Sequence, residues 1–483
     1  MSTRLSPPAH PLHAYAGDDA DGHIARELVV VANRLPVRRV QSSGSEPEWE
    51  RSPGGLVSAL EPAVRWHPTI WVGWSGVPDE DIAPFDNGGI HLHPVTISQE
   101  EQDGFYGGFS NSTLWPLYHD AIFVPQFRDE WWEAYRNVNQ RFADRVAEVA
   151  PPGAFVWIHD YQLQLVPDMV RRQRDDVRIG FFLHIPFPSQ ELFLRIPWRT
   201  ELTKGILGAD VVGFQTMVGA DNFRLVAKRI LGKRTVGNLV VQGERQTRVD
   251  TVPVGIDADR ISRIAADPST VLRAKQIREE LGNPATVLLG VDRLDYTKGI
   301  DVRLRAYREL LEEGRINPQH SVLVQIAEPS RDDVPGYAET RTMVEQTVGR
   351  INGDFGELGT SSVKYLHQSQ SLEELVALYL AADVMLVTPF RDGMNLVAKE
   401  YVAARLDRSG VLILSEFAGA AHQLRRAVLV NPFDVNGLKA AIEEAVNGDR
   451  TLHRRRMISL ARVVHQEDAE WWAGQFLSTL ETA

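Results

Sequence analysis

The chain has 483 residues, 43% of them hydrophobic and 24% charged, with a formal net charge of −12 and no cysteine. At roughly 150 residues per domain, that length points to two large domains or three small ones. The acidic balance excludes a broad nucleic-acid or anionic-membrane surface, but a phosphorylated ligand needs only a few local Arg and Lys. Without cysteine there are no disulfides, thiolate metal sites or thiol nucleophiles, and a cytoplasmic setting is expected.

Residues 1–25 are rich in Pro, His, Asp, Gly and Ala, lack an apolar h-region and read as a flexible tail. No apolar run approaches the roughly 18 residues that a bilayer span requires. The first predicted strand is Leu28–Ala32, followed by Asn33 and Arg34. Ser52-Pro53-Gly54-Gly55 then opens a helix near Leu56; its glycine pair suits either an anion cradle or a plain turn. Further strands are predicted at Phe155–His159, which leads into Asp160, and Ile179–His184, which ends before Pro186. A strand-end histidine such as His184 is more often structural than catalytic. Val211–Phe214, Leu239–Val241 and Asp250–Val254 complete the first series.

Pro253 and Gly255 interrupt the pattern near Val252–Arg260, which predicts a domain boundary. A second series follows at Thr286–Val291, Ser321–Ile326, Val363–Leu366, Val384–Thr388, Val411–Leu414 and Ala427–Val430. These runs are almost continuously apolar, as strands buried on both faces are. Between them, segments such as Asp301–Glu313 and Leu372–Ala382 carry the i, i+3, i+4 spacing of amphipathic helices. The alternation predicts two doubly wound α/β domains, residues 26–255 and 256–465. A terminal amphipathic helix within residues 466–483 is expected to cross back to the first domain. The pairs Trp131/Trp132 and Trp471/Trp472 are expected to pack rather than to stack on a ligand.

In open parallel sheets ligands gather beyond the carboxyl ends of the strands, so the polar residues there are the candidates. Arg293 and Lys298 follow one strand as two cations able to neutralise a diphosphate, or as a solvated loop. Glu328 and Arg331 follow the next. After Val384–Thr388 comes Arg391-Asp392-Gly393-Met394-Asn395, with Asn395 a candidate N-cap and free N–H groups near Leu396 and Val397. Spacing alone does not separate a diphosphate cradle from an ordinary capped turn. Asp257-Ala258-Asp259 could be a phosphatase-type or metal-binding pair, but it lies at the predicted boundary rather than at the heart of a domain. His91-Leu92-His93 has no evident third ligand, and the chain contains no zinc pattern, nucleophile elbow or P-loop.

Eleven segments in order resemble the trehalose-6-phosphate synthase family: VVVANRLPV (29–37), GGL (54–56), WVGWSG (71–76), GFSNSTLWPLYH (108–119), WIHDYQLQLVP (157–167), RIGFFLHIPFPSQELF (178–193), GFQT (213–216), VPVGID (252–257), VDRLDYTKGI (291–300), QIAEPSR (325–331) and TPFRDGMNLVAKEYVAAR (388–405). The resemblance implies the GT-B fold, two Rossmann-like domains facing across a cleft. It implies a retaining transfer of glucose from a nucleotide-glucose, UDP-glucose by default, to glucose 6-phosphate, without metal or cofactor. Arg293 and Lys298 would grip the diphosphate, and the stretch Leu396, Val397, Ala398, Lys399 and Glu400 would hold phosphate and ribose. Gln370 would lie near the base, and Gly54 and Gly55 would close over the donor. Arg34, Tyr106, Trp115, Asp160 and Arg331 would hold the acceptor, while His184 and Asp392 would touch the transferred glucose. The family is thought to attack on the face the leaving group departs from, the leaving phosphate helping to deprotonate the acceptor. The implied partners are small-molecule substrates, with no nucleic acid or membrane; homo-oligomerisation stays open. Alternatives on the same scaffold are a synthase acting on glycerol 3-phosphate, a pseudo-glycosyltransferase and a non-catalytic nucleotide-sugar sensor.

Overall fold

The computed structural model describes residues 26–40, 48–52, 55–330, 335–357 and 359–483. The expected tail, residues 1–25, lies outside them. Two sheets organise the chain, one of ten strands and one of six. The first runs in the order Arg234–Val236, Leu239–Gln242, Arg245–Thr251, Val211–Phe214, Arg178–Leu183, Phe155–His159, Leu28–Arg34, Thr69–Trp74, Ile90–Pro94, Phe85–Asn87. Its inner strands are parallel, and antiparallel hairpins finish both edges. The second, wholly parallel, is ordered Val363–Leu366, Ser321–Glu328, Thr286–Arg293, Val384–Val387, Val411–Ser415, Val428–Val430. Both sheets are doubly wound, as the alternation predicts. The strands Thr69–Trp74 and Ile90–Pro94 were not among those expected, and the expected strand at Asp250–Val254 instead runs from Arg245 to Thr251.

In each sheet the strand order reverses between the first strand and its later neighbour. Loops on either side of such a reversal diverge and leave a crevice at the carboxyl ends. In the first sheet the reversal lies between Leu28–Arg34 and Phe155–His159, so Arg34 and Asp160 flank it. In the second it lies between Thr286–Arg293 and Val384–Val387, so Arg293 and the loop leading to Asp392 flank it. Side chains alternate between the two faces of a strand. Val29 and Val31 accordingly pack into the outer core of the first half, while Leu28 and Val30 enter a cluster that continues to Val287 and Leu289 of the second sheet. The two halves therefore share apolar packing.

The helix Ala469–Thr482 starts in the second half and packs on the strands Arg178–Leu183 and Val211–Phe214 and the helix Gly55–Trp66 of the first. Phe476 stacks on Trp157 with ring centroids 4.7 Å apart, and Trp472 meets Phe182 edge-on at 5.1 Å. Room for the Phe476 ring comes from Gly180 and Gly213, whose Cβ atoms would stand 2.6 and 2.8 Å from it. Trp132 likewise stacks on Trp198, so these tryptophans serve packing. The chain crosses between halves twice, side by side. The Ala469 N–H donates to the Ile256 carbonyl at 3.0 Å, and a Cβ on Gly255 would overlap the backbone of Asp468. Among the described residues no helix is long and apolar enough to cross a membrane.

Truncating Phe476 to Ala is expected to destabilise the protein by roughly 3–5 kcal/mol in urea unfolding. Gly180→Ala should cost about 1–3 kcal/mol by overpacking. The double variant should lose less than the sum, because removing the ring vacates the space that the new methyl needs.

Candidate active site

The second sheet supplies the cations. Its strand Thr286–Arg293 ends on Arg293, and Asp295 then caps a short turn, its Oδ1 accepting from the Thr297 N–H at 2.9 Å. The turn returns Lys298 to the sheet, where Nζ sits 2.6 Å from Asp392 Oδ2 with both side chains largely buried. Burial acts to raise the Asp392 pKa, but the Lys298 ammonium outweighs it and holds the carboxyl below its ordinary value. The Arg293 guanidinium lies 5.1 Å from the ring centroid of Trp115, which belongs to the first half. A cation over an indole face is attracted by the ring quadrupole.

Beneath these residues lies a buried network that sequence reasoning missed. Arg303, 0% exposed, donates from Nη1 to Asp292 Oδ2 and Gln325 Oε1, each at 2.7 Å, and from Nε to Thr388 Oγ1 at 3.2 Å. One guanidinium thus ties together the carboxyl ends of three neighbouring strands. The available signal was an arginine on the apolar face of the helix Ile300–Glu312, between Ile300 and Leu304 and one turn before Tyr307. A charge there implies a buried partner.

The helix Leu396–Ala404 begins with Asn395 at φ 73°, whose side chain accepts from the Ala398 N–H at 3.2 Å and donates to Asp392 Oδ2 at 3.1 Å. That cap ties the helix start to the ion pair and leaves the N–H groups of Leu396 and Val397 for an anion. Ala398 offers no free N–H, and Lys399 is turned inward, its ammonium donating to the Val254 carbonyl at 2.6 Å. Burial pushes Lys399 down to about 7. Glu400 accepts from the Tyr379 hydroxyl at 2.9 Å, and burial raises its pKa. Gly393 permits a close approach between the halves, since a Cβ there would overlap the His184 carbonyl oxygen.

On the first sheet, the Arg34 guanidinium stacks 4.1 Å from the Trp74 ring and 5.7 Å from Tyr106. Burial lowers its pKa, partly offset by Tyr106. Asp160 sits at φ 74° with Oδ1 accepting from the His184 N–H at 3.1 Å. Tyr106 lies on the π-helical stretch Gln102–Leu114, and Trp115 opens the short helix after it. Trp115 packs on His119, which burial pushes down to about 4.

A cleft of about 680 Å³ runs between the halves. Arg293, Lys298, Gln370, Asp392, Leu396, Val397 and Glu400 line it from the second half, and Gly55, Asp160 and His184 from the first. Arg34 and Tyr106 stand apart from that lining at the end of the strand Leu28–Arg34, and Trp115 joins it through Arg293. Gly54 and Arg331 lie outside the described residues. Glu328, a strand-end candidate, lines the cleft as well, and so do Gln215 and Arg260, which were not proposed. Asp257 caps the helix Ala258–Ala266, its side chain accepting from the Arg260 N–H at 2.8 Å. His91 pairs with Asp86. Among the described residues, no group of three or more His, Cys, Asp or Glu could hold a metal.

The sequence model of glycosyltransferase family 20 matches residues 26–482. A trehalose-6-phosphate synthase of Mycolicibacterium gilvum is 54% identical, the match covering 94% of this chain and 93% of that protein. One from Mycolicibacterium smegmatis is 53% identical over 94% and 92%. Among solved structures, the E. coli protein bound with UDP-2-fluoro glucose superposes with a TM-score of 0.86 at 34% identity, covering 95% of this chain and 99% of that one. An alpha,alpha-trehalose-phosphate synthase (UDP-forming) from Burkholderia xenovorans in complex with glucose-6-phosphate gives 0.87 at 32% identity, over 94% and 100%. A family model spanning nearly the whole chain, relatives more than half identical along it, and two doubly wound sheets facing across one cleft agree: the chain belongs to glycosyltransferase family 20.

Proposed function

We propose that this enzyme transfers the glucosyl group of UDP-glucose to the anomeric hydroxyl of glucose 6-phosphate, with retention, giving α,α-trehalose 6-phosphate, UDP and a proton. The observation that carries this reading is the Lys298–Asp392 pair beside Arg293 and an open helix start, opposite Asp160 and His184 across the cleft. Relatives named for this activity, and solved neighbours bound to a UDP-glucose analogue and to glucose 6-phosphate, support the choice of substrates.

In this reading residues 256–465 hold the donor, residues 26–255 the acceptor, and the helix within 466–483 braces the second against the first. As the glycosidic bond breaks, positive charge develops on the sugar ring and negative charge on the departing diphosphate. Lys298, Arg293 and the N–H groups of Leu396 and Val397 stand ready to receive that negative charge. Donors preorganised toward developing charge act without reorganising, typically worth a few kcal/mol each. Three sources of positive potential make a metal unnecessary for the leaving group. Asp392 is neutralised by Lys298 and is a poor nucleophile, which favours attack from the departing side with the leaving phosphate taking the acceptor proton. Arg34, Tyr106, Trp115, Asp160 and Arg331 would receive the sugar phosphate, and Gln370 would lie near the base. Gly54 and Gly55 would cover the donor, Glu400 would accept from the ribose, and Ala398 and Lys399 would shape its helix from behind.

Incubation with UDP-, ADP- and GDP-glucose and glucose 6-phosphate, without added metal, should release nucleoside diphosphate fastest from UDP-glucose and yield a phosphorylated non-reducing disaccharide. Arg293→Ala and Lys298→Ala should each lower kcat by about 10²–10³, leaving KM for glucose 6-phosphate within a few-fold; near-normal turnover in both would sink the assignment. The pH dependence has a defined sign. A carboxyl held below its unfolded value contributes stability above about pH 4, which is lost as pH falls through the folded pKa. In Lys298→Met the strongest lowering contact is lost, and burial, opposed only by the Asn395 amide and His119, moves Asp392 up from its wild-type value. The Tm gap between wild type and Lys298→Met should be widest at neutral pH and narrow as the pH falls through the carboxylate range toward about 4 and below.

A further inference from the structure

Two histidines meet at the end of the first sheet, and only one of them lines the cleft. His159 ends its strand and is 0% exposed, whereas His184 follows the neighbouring strand Arg178–Leu183 and forms part of the cleft wall. Their rings approach through His159 Nδ1 and His184 Nε2, 3.1 Å apart. Burial pushes His184 down to about 3 and His159 well below its ordinary value, so both rings are neutral. A neutral imidazole carries one proton, so one ring donates across this contact and the other accepts.

The far side of His159 decides which. Its Nε2 is sealed from solvent and meets no hydrogen-bond partner among the described residues, with the rings of Trp157 and Trp472 packed around it. If His184 were the donor, the His159 proton would sit on Nε2, stranding a buried N–H. Orphaned buried N–H groups are rarer than under-used acceptors, and stranding one forfeits its full hydration. With the proton on Nδ1 instead, the His159 N–H is satisfied by His184 and only a ring lone pair is left enclosed.

We infer that His159 is a positioning residue that donates from Nδ1 to His184 Nε2 and thereby holds His184 in the tautomer protonated at Nδ1. Two further contacts keep the residue in place: the His184 backbone N–H on Asp160 Oδ1, and packing of its ring against Phe182 and the edge of Trp472 at 4.7 and 5.9 Å. With Nε2 engaged, the one nitrogen His184 has left for a ligand is a donor. It hydrogen-bonds to a sugar oxygen and takes up no proton, so the acceptor proton goes elsewhere. The tautomer rests on the contact between the two rings and on their burial; only the identity of the sugar rests on the reaction proposed above.

The test is the nitrogen spectrum of the full chain labelled with ¹⁵N-histidine, His184 being assigned by the signal lost in His184→Gln. Expected are a protonated Nδ1 and an unprotonated Nε2 on His184 at neutral pH; the reverse pattern overturns the inference. Kinetics give a second readout. His159→Phe keeps a ring but no donor, and should lower kcat about 10- to 100-fold, the scale for losing a group that orients a functional histidine, with both KM values within about three-fold. It should also leave His184 in a mixture of tautomers. His159→Asn, which restores an N–H near the same place, should recover most of the loss. Equal impairment of the Phe and Asn variants, or none in either, contradicts the proposal. If the wild-type chain turns over neither substrate, the proposed reaction falls while the nitrogen shifts still decide the tautomer.

Discussion

A lysine and an aspartate, 2.6 Å apart and largely removed from water, set the terms for the donor side of the cleft. Either ion alone at that depth would carry a desolvation penalty of several kcal/mol. Together they let the Lys298 ammonium stand at the bottom of a crevice with its charge compensated. The pair joins the two loops on either side of the strand-order reversal, so the topology that opens the crevice also places both charges. Asn395 spends one side chain on both tasks, capping the helix and bonding the same carboxylate oxygen. The electrostatic site and the helix start are therefore one mechanical unit.

That unit is held from below and from across. Arg303 ties the ends of three strands, so the backbone leading to Arg293 and Lys298 has little freedom. From the other half, Trp115 meets the Arg293 guanidinium and the His184 carbonyl crowds Gly393. Arg293 and Lys298 stand on one wall of the cleft, while Asp160 and a neutral His184 occupy the other. This asymmetry suits a reaction in which a diphosphate leaves on one side and a sugar hydroxyl arrives on the other.

Much of this was legible in the residues, and what was not shares a physical cause. Strands covered on both faces read as unbroken apolar runs, so Phe155–His159 and Val211–Phe214 were found with their observed bounds. Ile90–Pro94 lies near the sheet edge and carries His91 and His93, so its pattern is diluted. Thr69–Trp74 was noticed only as part of a motif. The stretch Gln102–Leu114 holds three glycines and no helix signal, yet winds as a π-helix, with Trp131 packed where a Cβ on Gly108 would stand. At the site, Arg293, Lys298 and Asp392 announced themselves by following strands. Arg303 and His159 did not, since their roles depend on burial and on partners distant in sequence. Lys399 shows the converse, a residue inside the most telling motif whose charge faces away from the cleft.

The two neighbouring chain crossings have a mechanical consequence. A single strap between two bodies would let them swivel in any direction. Here Ile256 and Ala469 are hydrogen-bonded to each other, and Gly255 lies flush against Asp468, so the straps behave as the two pins of a door. Swinging about the line through the pins bends both straps equally and leaves that bond intact, whereas twisting or sliding would shear it. Motions of packed domains are commonly absorbed by a few such residues. A swing about the line through the two crossings is the relative motion that would keep the Ile256–Ala469 bond, and it would change the gap between the cleft walls rather than their alignment.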